Sequence, residues 1–265
     1  MLNIVIPMAG RGNRFATAGY ALPKPLIAVH GVPMIEVVVN NLRPGTDHRF
    51  VFLCLREHDE KLGVTDTLRA IAPNCEIVIV DQVTEGPACS VLLAKHLIDD
   101  GNPLMIANSD QWVDITIDDY LDRISEEKLD GLIMTMRADD PKWSYVRLDS
   151  QKSITEVVEK QVVSNEATVG IYNYTRGCDF VWAATAMISK GQRVNNEFYV
   201  APAYNHLLQS GKRISYYNVG SVGAGMYGLG IPADLDDFLT RPISHDAVRG
   251  CSETGQRPHR LRASA

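Results

Sequence analysis

Residues 4–15 read IVIPMAGRGNRF, and residues 23–26 read PKPL. The apolar run predicts a buried strand, and the loop after it contains two glycines and two arginines. Glycines let a backbone fold closely around an anion and turn its N–H groups inward, while fixed cations at the rim offset the charge of a polyphosphate. The stretch therefore predicts an α/β fold that begins with a phosphate-binding loop. A purely structural turn is the alternative.

Two other kinds of phosphate loop are excluded by the spacing. A dinucleotide fingerprint, G-x-G-x-x-G, needs a third glycine where Phe15 stands. The Walker pattern, G-x-x-x-x-G-K-[ST], occurs nowhere in the chain. The chain instead has A-G-x-G-x-R followed by P-K-P, which places Lys24 ten positions after Arg14.

The charge, the cysteine spacing and the apolar runs of the chain exclude several classes of partner. The 265 residues carry a formal net charge of −6, which argues against a nucleic-acid or membrane-surface partner. The five scattered cysteines contain no C-x-x-C pair, so neither a zinc site nor a disulfide framework is indicated. The sequence shows no signal-peptide pattern and no apolar run of about 18 residues, so we expect a cytoplasmic protein with no membrane partner.

Apolar runs alternate with helical patterns along the chain. This alternation predicts a three-layer α/β/α sandwich around a Rossmann-like, mixed but mostly parallel sheet. We expect one domain over residues 1–243, with a nucleotide half at about 1–130 and an acceptor half at about 131–243. The predicted strands are 2–8, 49–55, 76–81, 104–108, 131–136, 154–159, 168–174 and 213–219. The predicted helices are 34–42, 59–71, 87–98, 179–190 and 201–209.

The last stretch, residues 244–265, has four arginines and almost no bulky apolar side chain. Such a segment cannot bury enough surface to order itself, so we expect a disordered tail.

Chemistry-bearing residues follow three of the predicted strands, at 9–15, 81–88 and 108–112. Ligands of open α/β sheets bind at the carboxyl ends of the strands, so these loops are expected to meet in one crevice. Asp110 ends an apolar strand opposite the phosphate loop, where an aspartate suits Mg²⁺; a turn or capping aspartate is the alternative. In the segment after the second of these strands, Thr84 is the structural candidate for a helix N-cap.

The loop at 9–14 together with P-K-P resembles the signature of the sugar-phosphate nucleotidyltransferase superfamily, also called the NDP-sugar pyrophosphorylases. The resemblance covers about residues 1–240, and segments 141–144 and 195–202 look like its capsule and surface-polysaccharide branch. It implies a fold similar to that of GT-A glycosyltransferases. It also implies transfer of an NMP from an NTP to a phosphorylated sugar, with release of pyrophosphate, dependence on Mg²⁺ and association into homo-oligomers.

The resemblance assigns roles to individual residues. It implies that Arg14, Lys24 and Asp110 are catalytic and that Asp110 binds the metal. The implied nucleotide-binding residues are Ala9, Gly10, Gly12, Asn13, Arg14, Gln82 and Gly86, with Gln82 and Gly86 reading a base that is favoured to be a pyrimidine. The implied acceptor-binding residues are Glu159, Lys160, Gly170 and Glu197. A solvated Glu-Lys pair and a helix-capping Glu197 are the structural alternatives for the acceptor segments.

One position departs from the family. A second metal-binding aspartate is usual just before a short turn near the C-terminus, and the aligned residue here is Gly228. Asp234 is expected to cap or open the last helix, and Asp114 is another candidate ligand.

Three further functions stay open. They are a CTP-dependent cytidylyltransferase acting on a non-sugar phosphorylated acceptor, a GT-A-like glycosyltransferase, and a catalytically silent nucleotide-binding paralogue. The missing first acid of a D-x-D motif at Asn108 weighs against the glycosyltransferase.

Overall fold

Strands and helices alternate through the first part of the chain. A computed structural model describes residues 1–10 and 12–251. In chain order the elements of this part are β1 (Leu2–Pro7), α1 (Asn13–Thr17), β2 (Ala28–Val29), β3 (Val32–Pro33), α2 (Met34–Asn41), β4 (His48–Leu55), α3 (Arg56–Leu62), α4 (Val64–Ile71), β5 (Glu76–Val80), α5 (Pro87–Leu92), α6 (Lys95–Ile98), β6 (Leu104–Ala107), β7 (Gln111–Val113) and α7 (Ile117–Glu126).

The second part is richer in strands. Its elements are β8 (Gly131–Arg137), β9 (Ser144–Leu148), β10 (Ile154–Glu159), β11 (Glu166–Tyr174), α8 (Gly177–Ser189), α9 (Tyr204–Gln209), β12 (Ile214–Val222), β13 (Gly225–Gly228), α10 (Pro232–Thr240) and α11 (Ile243–Ala247). Short 3₁₀ helices span Lys24–Leu26 and Ala201–Ala203.

One mixed sheet of eleven strands runs through the described part of the chain, in the order β5-β4-β1-β6-β11-β8-β12-β13-β7, with β9 and β10 extending from β11. The strands β5, β4, β1 and β6 are parallel to one another, so the loops that follow them lie at the same edge. In contrast, β11 is antiparallel to both β6 and β8. The predicted α/β class with a Rossmann-like mixed sheet is confirmed.

Helices cover both faces of this sheet. Alternate residues of β1 point to opposite sides, because a strand has a period of two. Val5 belongs to the same buried cluster as Ala88 of α5, whereas Ile4 belongs to a second cluster with Ile35 of α2. Each face therefore has its own buried core, which gives the three layers that the sequence predicts.

A third buried cluster lies beneath the loops that carry the chemistry. It joins Phe15 of α1, Ile27, Trp112 of β7, Leu229 and Leu235 of α10, all of which are less than a tenth exposed. Segments that are far apart in sequence are thus held against one another by apolar packing.

Two predicted helices are each divided in two. The helix predicted at 59–71 breaks at Gly63, whose φ of 61° is left-handed, so α3 ends there and α4 begins. The helix predicted at 87–98 breaks at Leu93 and Ala94, whose N–H groups bond three residues back instead of four. Seven further elements among the described residues were not predicted from the sequence: α1, β2, β3, β7, α7, β9 and β13.

The C-terminal prediction is wrong for residues 244–251. This segment contains α11, in which Ser244 is fully buried and its Oγ lies 2.7 Å from Nε2 of His30. The remaining part of the predicted tail, residues 252–265, lies outside the described residues. Within residues 1–10 and 12–251, no helix combines the length and the apolar character needed to cross a membrane.

Candidate active site

The glycine loop after β1 makes a sharp turn into a short helix. Gly12 has a left-handed φ of 61° and comes directly before α1. Its carbonyl oxygen accepts a hydrogen bond from the N–H of Phe15 at 3.0 Å, and the Phe15 ring is buried. A Cβ at position 12 would lie 3.4 Å from Cβ of Lys24. The predicted loop and the predicted lysine are therefore adjacent.

The other residues predicted in this loop differ in exposure. Ala9 is buried, whereas Gly10 and Asn13 are exposed, and Asn13 is the first residue of α1. A Cβ at Gly10 would have no neighbour within 4 Å among the described atoms, so the loop has open space on that side. Arg11 lies outside the described residues.

Lys24 and Asp110 form an ion pair, although they are 86 positions apart. Nζ of Lys24 lies 2.8 Å from Oδ2 of Asp110, and the two side chains are 23% and 25% exposed. Lys24 begins a 3₁₀ helix after an extended Pro23, and Asp110 follows β6. Two residues predicted to be catalytic are thus brought together in a position that solvent reaches.

Arg14 belongs to the same electrostatic neighbourhood. Partial burial raises the pKa of the Asp234 carboxyl, and the charge of Asp110 acts in the same direction. The charges of Lys142 and Arg14 oppose that rise in pKa. Asp234 is therefore close enough to interact with Asp110 and with two cations. No role was predicted for Lys142, and Asp234 was expected only to cap or open the last helix.

Gly228 and Gly230 lie against these carboxylates. Gly228 pairs with Gln111 in the antiparallel ladder of β13 and β7, and the N–H of Leu229 donates to the carbonyl oxygen of Asp110 at 2.7 Å. A Cβ at Gly230 would lie 2.6 Å from Oδ2 of Asp110, and one at Gly228 would lie 3.3 Å from Oδ2 of Asp234. The absence of side chains at both positions leaves room for the carboxylates.

Asp234 opens α10 but does not cap it. It is the third residue of the helix, and the N-cap is Ile231, without a side-chain capping bond. The alternative ligand Asp114 lies past the far end of β7 from Asp110. Four residues along a strand span about 13 Å, so Asp114 is distant from this site.

The turn after β5 packs against a segment from the second half of the chain. The N–H of Phe198 donates to the carbonyl oxygen of Glu85 at 2.9 Å, and the N–H of Ala88 donates to that of Phe198 at 3.0 Å. Gly86 has φ 129°, and a Cβ there would lie 2.6 Å from both the nitrogen and the oxygen of Phe198. Gln82 is exposed at the start of the turn.

The structural alternative for this turn is wrong. The N-cap of α5 is Gly86, not Thr84. The Thr84 hydroxyl instead lies 2.9 Å from the carbonyl oxygen of Gly86 and 2.6 Å from Oγ of Ser90.

Glu159 and Lys160 stand at the end of β10 in different surroundings. The Glu159 carboxylate is buried and accepts a hydrogen bond from the Ser144 hydroxyl. Burial raises its pKa, while that hydrogen bond and the charge of Lys160 oppose the rise. Nζ of Lys160 donates to the Tyr199 hydroxyl at 2.6 Å and lies 4.7 Å from the centre of its ring. The alternative prediction of a solvated Glu-Lys pair on the surface is therefore wrong for Glu159, because its side chain is buried.

The other two predicted acceptor residues are on either side of this pair. Glu197 is exposed and does not cap the following 3₁₀ helix, whose N-cap is Val200. Burial raises the pKa of the Tyr199 hydroxyl, and contact with the Glu197 carboxylate adds to that effect. Gly170 is buried, and a Cβ there would lie 2.1 Å from Nδ2 of Asn108. Packing against Asn108 thus explains the glycine, and contact with an acceptor stays a prediction.

Tyr199 and Phe198 are contacts that the sequence analysis misses. Both lie in the N-N-E-F-Y segment that carries the resemblance, so this segment could have pointed to them. The sequence alone does not predict that Phe198 contacts the turn at Glu85. Arg193 strengthens this junction, because its guanidinium lies 2.9 Å from the Glu85 carboxylate and 4.5 Å from the centre of the Phe198 ring.

Comparison with known proteins finds relatives among nucleotide-transferring enzymes. The bifunctional protein GlmU of Methanococcus aeolicus is 27% identical over 177 residues, which are 65% of this chain and 40% of that protein. A 2-aminoethylphosphonate cytidylyltransferase of Lancefieldella rimae is 52% identical over 40 residues, 15% of this chain and 16% of that protein. The chain spans less than half of the length of the GlmU relatives that it matches.

A solved structure has the same fold. The nucleoside-diphosphate-sugar pyrophosphorylase from Vibrio cholerae RC9 superposes with a TM-score of 0.76 and 25% identity, over 90% of this chain and 100% of that one. The nucleotidyl transferase family matches residues 4–213, a span that includes the glycine loop, Lys24, Asp110 and the Glu159–Lys160 pair. The chain therefore belongs to the nucleotidyl transferase family, within the sugar-phosphate nucleotidyltransferase superfamily.

Proposed function

We propose that the protein transfers an NMP from an NTP to a sugar 1-phosphate and releases pyrophosphate. The contact between Lys24 and Asp110, beside the glycine loop at Gly12, is the observation that carries the proposal. This contact supports the proposal because an ammonium group and a carboxylate of the kind that binds Mg²⁺ stand together next to a backbone turn that suits a polyphosphate.

The proposed reaction needs no nucleophile from the protein. An oxygen of the acceptor phosphate attacks the α-phosphorus of the NTP, the bond from that phosphorus to the bridging oxygen breaks, and pyrophosphate takes the electron pair. Catalysis then consists of positioning and of stabilising charge. Lys24 exchanges Asp110 for phosphate oxygens, and Arg14 offsets the charge on the leaving group.

The residues at this site fit a divalent cation. Oδ2 of Asp110 already contacts an ammonium group, and Gly230 leaves free the space next to that oxygen, which any side chain would fill. Mg²⁺ commonly takes one or two protein carboxylates and completes its shell with water and phosphate oxygens. We propose that Asp110 holds Mg²⁺, which when bound neutralises phosphate charge.

The acceptor lies, in this proposal, between Lys160, Tyr199 and Glu197. Lys160 binds the acceptor phosphate, and Glu197 accepts hydrogen bonds from hydroxyl groups. The hydrogen bond from Lys160 to Tyr199 supports this placement, because it fixes the ammonium at the end of β10.

A cytidylyltransferase that acts on a non-sugar phosphorylated acceptor is the second candidate. The observation that favours it is the 52% identity over 40 residues to a 2-aminoethylphosphonate cytidylyltransferase. In that case the same residues transfer CMP from CTP, and the acceptor differs.

Pyrophosphate release tests both candidates. Each of the four NTPs is mixed with Mg²⁺ and a panel of phosphorylated sugars, polyols, amides and amines. Turnover with a sugar phosphate supports the first candidate, and turnover with CTP and a non-sugar acceptor supports the second. Nucleotide binding by calorimetry without any turnover would favour the silent paralogue, and transfer from an NDP-sugar would favour the glycosyltransferase.

Matched variants test the mechanism. We expect Lys24→Met and Asp110→Asn each to lower the rate by about a hundredfold or more, the usual effect of removing a preorganised charge. The control is the exposed pair Lys95 and Asp99, 3.5 Å apart, replaced in the same way. Near-normal turnover of both site variants would contradict the assignment.

The finer expectations are proposals of the same kind. The pyrimidine base, the role in surface-polysaccharide synthesis and the homo-oligomeric state stay predictions from the resemblance. The cytoplasmic location stays a prediction from the sequence.

A further inference from the structure

Two carboxylates, those of Asp234 and Asp110, approach the segment Gly228–Gly230, which we call the glycine strip. The ladder between β13 and β7 pairs Gly228 with Gln111, and the hydrogen bond from Leu229 to the carbonyl oxygen of Asp110 continues it. The carboxylates of Asp234 and Asp110 approach Gly228 and Gly230, which are only two positions apart.

The strip admits both carboxylates only because it has no side chains there. Oδ2 of Asp110 would be 2.6 Å from a Cβ at Gly230, a distance that real side chains do not adopt. All three nearest neighbours of a Cβ at Gly228 are atoms of Asp234, at 3.3, 3.8 and 3.9 Å. Asp234 thus fills the space that a side chain at position 228 would take.

Among the described residues, the Asp234 carboxylate has no partner that would explain it as a structural residue. It makes no helix-capping bond, and within residues 1–10 and 12–251 it forms no hydrogen bond or ion pair. It is only partly exposed and interacts with Asp110 and with two cations, Arg14 and Lys142. A partly buried carboxylate is costly unless a positive charge stabilises it.

We propose that Asp234 is the second carboxylate ligand of the divalent-cation site, reaching from α10 across the glycine strip to join Asp110. The proposal rests on the proposed function, since that function requires the metal. Position 228 then needs no acid, because the carboxylate arrives from the helix that follows.

Metal binding without turnover tests this assignment. Free Mn²⁺ is counted by electron paramagnetic resonance during titration of the protein, with and without CTP. We expect Asp234→Asn to weaken Mn²⁺ binding by about tenfold or more, at least as much as losing an outer-shell partner of a metal ligand. Asp236→Asn, on the same helix and exposed, is the matched control and should bind Mn²⁺ as the unchanged protein does.

A relocated carboxylate gives the second readout. Replacing Asp234 by Ala opens the space beside position 228, so Asp234→Ala combined with Gly228→Asp should restore Mn²⁺ binding to within about threefold. Asp234→Ala alone should not. Circular dichroism before each titration confirms that the variants are folded.

Unchanged Mn²⁺ affinity in Asp234→Asn overturns the proposal, and so does a failure of the unchanged protein to bind Mn²⁺ under either condition. These outcomes are separate from failure of the proposed function. Pyrophosphate release together with Asp234-independent binding refutes only the ligand, whereas Asp234-dependent binding without any pyrophosphate release refutes only the reaction.

Discussion

The substitution Gly86→Ala separates two reasons for a glycine in the turn after β5. The resemblance places a nucleotide base against Gly86, whereas the structure places the Phe198 backbone there. If the packing with Phe198 requires the glycine, the substitution lowers the stability of the protein itself. If only the base requires it, the substitution lowers nucleotide affinity and leaves stability unchanged.

The size of the effect follows from the geometry. The φ of 129° and ψ of 169° at Gly86 lie in a region that is almost restricted to glycine, and forcing another residue into it costs about 1–3 kcal/mol. The added Cβ would also lie 2.6 Å from two backbone atoms of Phe198. Displacing Phe198 breaks its hydrogen bonds to Glu85 and Ala88, each worth about 0.5–1.5 kcal/mol. The expected loss is about 2–6 kcal/mol.

Urea unfolding without nucleotide measures this loss directly. The matched control is Gly101→Ala, where φ is not left-handed and a Cβ would meet nothing within 4 Å, so we expect a change within about 0.5 kcal/mol. A loss below about 1 kcal/mol for Gly86→Ala would refute the packing argument. Weak nucleotide binding by such a stable variant would support the base-contact reading instead.

Two further predictions concern the acceptor side. Burial raises the pKa of Glu159 above its usual 4.5, so the folded protein binds more protons there than the unfolded chain, and stability falls as pH rises from 4.5 through the folded pKa. Glu159→Gln removes this pH dependence, because the amide does not titrate. Urea unfolding at several pH values should show the free energy of unfolding of the variant gaining on that of the unchanged protein as pH rises. A difference between the two proteins that stays constant with pH contradicts the raised pKa of Glu159. Tyr199→Phe keeps the ring near Lys160 but removes the 2.6 Å hydrogen bond, so KM for the acceptor should rise by about tenfold in steady-state kinetics while KM for the NTP stays unchanged; equal changes in both would refute a local role.

Local sequence patterns were sufficient for the elements that form the first half of the sheet. The run at 4–6 is apolar on every residue because β1 is buried on both faces, and such a run is readable without any tertiary information. The position of Asp110 at the carboxyl end of β6 followed from the same logic. The parallel strands β1 and β6 then bring the loops that follow them to one edge of the sheet, where Lys24 contacts Asp110.

Tertiary contacts decided what the patterns missed. Ser244 was predicted to begin a polar tail. It instead lies in α11, and its hydroxyl contacts the ring of His30, which is 214 positions away in the sequence. The glycines at 86 and 170 looked like ligand contacts, but each makes space for another part of the chain. A glycine signals that something approaches closely, and the sequence does not say whether the neighbour is a ligand or the protein.

The ion pair between Lys24 and Asp110 joins two residues whose backbones are fixed but whose charged groups can change partners. Solvent reaches both side chains, and a phosphate oxygen or a cation offers each of them a charge of the same sign as the partner that it would leave. The backbones of both residues are held instead by the buried cluster around Phe15, Ile27 and Trp112. Apolar packing therefore fixes where the two charges stand, while each charge can exchange its partner for a ligand of the same sign. The charged residues Lys24 and Asp110 are thus distinct from the apolar residues that stabilise the site, such as Phe15 and Trp112.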